Sequence, residues 1–168
     1  PHINDKMIIG FAMSDVPVLT ELHARNTSNW ISGYDSPTWP LVLRNFPSSS
    51  PGKQRYVDTM KDIYNNNITA FNASYNTNFE TWLELTNAEN WRPNTDYDNA
   101  NEVADNNEFG KLCINKYYEV ASQAFRAVNQ NHLFLGDKIN ANSRDRDELK
   151  LIINEIKDYV DVILFQSY

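Results

Sequence analysis

Short apolar runs in this sequence end in residues that can do chemistry. Met7-Ile8-Ile9-Gly10-Phe11-Ala12-Met13 leads into Ser14-Asp15. Leu133-Phe134-Leu135-Gly136 leads into Asp137-Lys138, with Asn140 just beyond. Val160-Asp161-Val162-Ile163-Leu164-Phe165 leads into Gln166-Ser167-Tyr168. Polar residues at the C-terminal ends of buried strands are how α/β enzymes present chemistry at the mouth of a barrel or sheet. If the runs are parallel strands, their ends share one rim, and that convergence outweighs any single residue. Each residue also has a plainer role open to it. Asp15 suits the cap of a following turn or helix. Asp137 suits a salt bridge to Lys138 or Arg144, and Tyr168 suits a rim aromatic packed on the next loop.

The elements that would position these residues can be read in order. A short apolar run is the pattern of a strand buried on both faces. Pro17 cannot donate to a ladder and biases Val16 away from helix, so the first strand ends there. Residues 18–25 fit a short helical turn. Residues 26–50 read as irregular, with Trp30, Tyr34, Trp39 and Phe46 among Ser, Asn, Gly and Pro. Loops that long are usually functional or disordered, and the aromatic content argues against disorder. Ser48-Ser49-Ser50-Pro51 marks a helix start, with a Ser N-cap and Pro in the first turn. That helix runs through Tyr56, Val57, Met60 and Ile63-Tyr64 and stops at Asn65-Asn66-Asn67. Shorter helices follow over 69–75 and 78–85. Residues 87–107, holding Trp91, Pro93 and Tyr97, read as an exposed excursion. A long helix over 108–129 turns Leu112, Tyr117, Val120, Ala121, Ala124, Phe125 and Val128 inward. Residues 145–159 are helical, with Leu149, Ile152, Ile153 and Ile156 on one face.

The order is strand, long helical region, strand, helix, strand. That order predicts an α/β fold with parallel pairing and right-handed crossovers. Three strands cannot close an eight-stranded barrel. In a (β/α)8 barrel the chain is a middle section, residues 26–107 are a helical and aromatic-loop insertion, and the sheet edges need the remaining strands of the same protein.

Composition narrows the function classes. At 168 residues the chain can bury one core, and a 41% hydrophobic, 12% aromatic content marks a globular protein. A net charge of −7 argues against a nucleic-acid backbone as partner. No run is apolar for long enough to span a bilayer. The chain opens on Pro1, as a processed product or excised piece would. Cys113 has no partner for an internal disulfide and reads as small core filler on a helix. His2, His23 and His132 lack ligand spacing, so neither a metal nor another cofactor is expected. Sequons at Asn26, Asn67 and Asn72 are expected by chance in so Asn-rich a chain.

Four stretches resemble clan A glycoside hydrolases, agarase-type and β-galactosidase-type members above all. Ile8-Ile9-Gly10-Phe11 through Asp15-Val16-Pro17 resembles the family's fourth strand. Pro51-Gly52-Lys53-Gln54-Arg55-Tyr56, then Ala70-Phe71-Asn72-Ala73-Ser74-Tyr75-Asn76-Thr77 with Phe79 and Trp82, is similar to the helical insertion after it. Tyr117-Tyr118 through Asn131-His132-Leu133-Phe134-Leu135-Gly136-Asp137 resembles the helix entering strand five. Residues 160–168 resemble strand six. The likeness spans nearly the whole chain in the expected order.

The resemblance implies a retaining glycosidase acting on a β-linked galactan such as agar, secreted or periplasmic, with an oligo- or polysaccharide as its partner. Such enzymes need a protonated acid at the leaving oxygen and an anionic nucleophile about 5 Å across the sugar. The family's acid sits as Asn-Glu at the end of strand four, where this chain reads Asp15-Val16. Either the carboxylate comes one place early or the usual acid is absent. Asp15 could serve if burial raises its pKa, with Asp35 an alternative on a loop. The nucleophile Glu belongs to strand seven, beyond Tyr168, and family members place a Tyr beside it near the position of Tyr168. Ser14, Asp137, Asn140 and Gln166 would meet sugar hydroxyls. Trp30, Trp39 and Trp91 suit sugar stacking and core packing alike. A second reading is a non-catalytic carbohydrate-binding homologue that has lost the acid. A third is a self-contained α/β domain unrelated to glycosidases.

Overall fold

A computed structural model of the chain describes residues 4–15, 38–140 and 146–166. Among them the strands are β1 (Gly10–Asp15), β2 (Leu133–Asn140) and β3 (Phe165–Gln166). The helices are α1 (Trp39–Arg44), α2 (Pro51–Ile63), α3 (Ile68–Tyr75), α4 (Trp82–Asn87), α5 (Ala100–Val128) and α6 (Arg146–Ile156). The chain divides into two compact units, one of Pro1–Leu19 with Lys111–Tyr168 and one of Thr20–Gly110.

The first unit holds the strands. β1 pairs parallel with β2, and the end of β2 pairs parallel with β3, giving the order β1-β2-β3. Phe11 of β1 lies 6.2 Å from the Phe125 ring of α5 and edge-on to His132, while Phe125 stacks on Phe134 at 5.0 Å. α6 buries Ile152 and Ile156 and half-buries Leu149 and Ile153, the expected stripe.

Two strand expectations need correcting. β1 starts at Gly10 rather than at Met7, and within this chain by itself Met13 is exposed. Residues 160–164 are not strand. Asp161 brackets Phe134 instead, its amide donating to the Phe134 carbonyl and its carboxylate accepting from the Phe134 amide. A side chain that competes for ladder positions breaks a strand that hydropathy alone would continue.

The second unit is helical. Pro51 opens α2 as expected, but the Ser50 hydroxyl makes no capping bond; Ser50 supplies only its carbonyl, to the Gln54 amide. Asn65 and Asn66 adopt positive φ and end the helix, a conformation Asn tolerates. Asn67 then caps α3 by accepting from the Ala70 amide. Tyr56, Val57, Met60, Phe71, Tyr75, Leu85 and Phe109 form the apolar core.

Three further expectations fail here. Residues 39–44 are helix where an irregular loop was expected, with Pro40 in the first turn. The helix expected over 78–85 is α4, starting at Trp82 and capped by the Thr81 hydroxyl. The long helix begins at Ala100, so the exposed excursion ends early. Its first turns bury polar rather than apolar side chains, Glu102, Asp105 and Asn106, and a search for apolar period misses such a stripe. A capping signal was nevertheless present: the Asn99 carboxamide accepts from the Glu102 amide.

The inward face of α5 also has a different phase. Leu112, Val120 and Val128 are exposed, while Phe109, Ile114 and Tyr118 are buried. Cys113 lies half-buried on this helix, and burial pushes its thiol up to about 12.

Candidate functional site

The polar strand ends belong to the first unit. Parallel pairing sends β1, β2 and β3 in one direction, so Ser14-Asp15, Asn140 and Gln166 stand at the same end of their strands. Asn140 and Gln166 are direct register partners, and Asp15 is the partner of Lys138.

The β1–β2 ladder is irregular just before that end. Phe11 pairs with Phe134 but Ala12 with Gly136, so β2 has one residue more than β1 over that step. Asp15 then pairs with Lys138, so β1 has one more over the next step. The two shifts cancel, and bulges of this kind re-aim side chains next to active sites. Gly136 takes the strained position, with φ of 61°. A Cβ there would lie 2.8 Å from Val160 Cγ1 and 3.1 Å from Tyr118 Cε1, so glycine is required on both counts.

Asp137 follows that glycine and is 2% exposed. Its Oδ1 accepts from the Ser14 backbone amide at 3.1 Å, and its Oδ2 accepts from the Tyr118 hydroxyl at 3.1 Å. Burial, then the Asp137 charge, pushes the Tyr118 phenol well above its usual range. The same two causes raise Tyr117. Asp137 is thus a buried carboxylate held by donors on β1 and α5. Tyr118 was missed by the sequence reading. The spacing Ile114, Tyr118, Phe125 on one helix face was the signal that could have found it.

The other candidates separate. Ser14 is exposed on β1. Asp15, Asn140 and Gln166 are described in backbone only. Trp30, Asp35 and Tyr168 lie outside the described residues. Trp39 starts α1 in the second unit and is half-buried. Trp91 packs among Phe71, Tyr75 and Phe79 at centroid distances of 6.1, 6.1 and 5.5 Å, under the Arg44 guanidinium, so its place is in the aromatic core. Among the described residues no helix is long and apolar enough to cross a membrane, and no cluster of His, Cys, Asp or Glu could hold a metal ion.

No protein-family model matches the sequence, and no curated protein matches it either. Solved structures do match. An agarase, AgWH50C, superposes with a TM-score of 0.69 at 19% identity, over 95% of this chain and 20% of its own. PfGH50B gives 0.68 at 18% identity, over 95% and 21%. An exo-beta-agarase gives 0.67 at 18% identity, over 95% and 20%. The chain therefore has the fold of one stretch of these proteins and spans about a fifth of their length.

Proposed function

We propose that this chain is part of a glycoside hydrolase acting on a β-linked galactan such as agar. It contributes three successive strands of a (β/α)8 barrel, with residues 26–107 inserted after the first. The reading is carried by one observation: β1, β2 and β3 pair in parallel and in chain order, with their polar ends together, in a chain whose fold matches a stretch of agarases. Asp15 is the candidate acid, one place before the position where the resembling family carries its proton donor. Ser14, Asn140 and Gln166 offer hydrogen bonds to sugar hydroxyls from the same strand ends. Tyr168 stands beside a nucleophile supplied by a later strand of the whole protein. The mechanism is retaining, with Asp15 protonating the leaving oxygen and then activating water. A polysaccharide substrate puts the protein outside the cytoplasm, secreted or periplasmic.

Val16 favours one competing reading. It stands where the resembling family has its acid Glu, so the protein would hold sugar without cutting it. Replacing Asp15 with Asn in the protein that carries this chain separates the two. Loss of reducing-end release from agarose oligosaccharides, with binding retained, is the expected result. A wild type that binds these oligosaccharides and releases no reducing ends from any galactan establishes the binding protein instead.

A further inference from the structure

The rim end of β1 is tied to β2 by a side chain rather than by the ladder alone. Between the pairs Ala12–Gly136 and Asp15–Lys138 the strands fall out of step, and within that stretch the Ser14 amide donates to Asp137 Oδ1. A bulge leaves backbone groups without their regular ladder partners, and a buried carboxylate is a strong acceptor for one of them. The carboxylate is itself steadied from behind by the Tyr118 hydroxyl on α5. It is aimed by Gly136, whose positive φ carries the backbone round immediately before it. Asp137 is 2% exposed, so its carboxylate faces these donors rather than solvent.

We propose that Asp137 is a positioning residue: through the Ser14 amide it sets the backbone from which Asp15 reaches the substrate. Its role as a positioner in catalysis rests on the reading of Asp15 as the acid. Its role as a clamp on β1 does not. Proton donors lose efficiency steeply when displaced, so a clamp one residue away from the acid acts on turnover rather than on binding.

Three variants in the protein that carries this chain test it. Asp137→Asn keeps an oxygen to accept from Ser14, and its amide nitrogen can donate to the Tyr118 oxygen. Asp137→Ala removes both acceptors, and Tyr118→Phe removes only the rear support. Amide hydrogen exchange at Ser14 reads the clamp whether or not the protein has activity. Steady-state hydrolysis of agarose oligosaccharides against pH reads the positioning. In Asp137→Ala the Ser14 amide should exchange at least about tenfold faster, as loss of a charge-assisted bond implies. Its kcat should fall by about tenfold to a hundredfold, with KM within about threefold of wild type and the limb of the pH profile set by the acid displaced. Asp137→Asn should restore most of both quantities, with Tyr118→Phe in between.

An unchanged Ser14 exchange rate in Asp137→Ala overturns the clamp. A faster exchange with kcat and pH profile untouched overturns the positioning role. An Asp137→Asn variant as impaired as Asp137→Ala, with a raised KM, overturns it in favour of direct contact with sugar. If Asp137→Ala fails to fold, Asp137→Ser, whose shorter side chain carries no carboxylate to the Ser14 amide, takes its place: wild-type exchange, kcat and pH profile there overturn the proposal. A wild type without glycosidase activity removes the Asp15 reading, and Ser14 exchange in the variants still decides the clamp.

Discussion

The Arg44 guanidinium donates to the Glu102 carboxylate at 2.8 Å, and both side chains are fully buried. The pair does not stand alone. Arg44 also donates to the carbonyls of Arg92 and Asn94 and lies over the Trp91 ring, while Arg92 pairs with the other Glu102 oxygen at 2.5 Å. A buried ion pair offsets its own desolvation only while both partners and their hydrogen bonds are in place. Glu102→Leu should destabilise the fold by about 3–5 kcal/mol, because it leaves the buried Arg44 charge unmatched, and Arg44→Met should cost less because Arg92 still pairs with Glu102. The double variant Arg44→Met/Glu102→Leu should cost less than the sum of the singles. Urea denaturation of the four proteins checks this, and strict additivity would contradict the pairing.

Lys53 makes stability depend on alkaline pH. Its ammonium is buried in α2 and donates to the carbonyls of Arg44 and Ala88. Burial is the main cause that lowers its pKa from 10.5 to about 8, with the nearby Arg44 charge acting in the same sense. Between those two values the unfolded chain holds a proton that the folded chain has released. Stability contributed at this site therefore rises as pH goes from about 8 towards 10. The free-energy difference between wild type and Lys53→Met, taken from denaturant curves at pH 7, 8, 9 and about 10, should move steadily in favour of wild type over the upper interval. A flat difference would place the ammonium in contact with water.

Gly136→Ala should destabilise the first unit by about 1–3 kcal/mol, the cost of forcing a non-glycine residue into a positive-φ site. Part of that cost is steric, because the added methyl meets Val160 Cγ1. Val160→Ala in the Gly136→Ala background should recover some of the loss while the backbone strain remains. Thermal unfolding of the single and double variants reads both parts, and full recovery would mean that φ was not limiting.

Cys113 should behave as a burial probe. With its thiol pushed up to about 12, almost no thiolate exists at pH 8 in the folded chain. Reaction with a disulfide reagent should be at least about a hundredfold slower in buffer than in strong denaturant. Equal rates would put the thiol at the surface of α5.

Several elements were legible in the sequence. Pro51 and the Asn65–Asn67 cluster bound α2 because proline and left-handed asparagine act locally, whatever surrounds them. The stripe of Leu149, Ile152, Ile153 and Ile156 located α6 because an apolar face must be buried. The first turns of α5 were illegible for the converse reason. Glu102 and Asp105 are buried by partners far away in sequence: Arg44 and Arg92 for one, Tyr64 and Tyr75 for the other. Nothing in the spacing of 100–110 announces those partners.

By itself the sequence determined which segments carry polar residues at the ends of apolar runs, because hydropathy and chain-breaking residues are written locally. Only the tertiary structure decided that β1, β2 and β3 run parallel side by side, and that Asp137 turns its carboxylate onto the Ser14 amide. The reason is physical. That bond joins residues 123 positions apart, and it exists because two opposed register shifts bring a buried oxygen to a backbone donor that no local pattern could have paired with it.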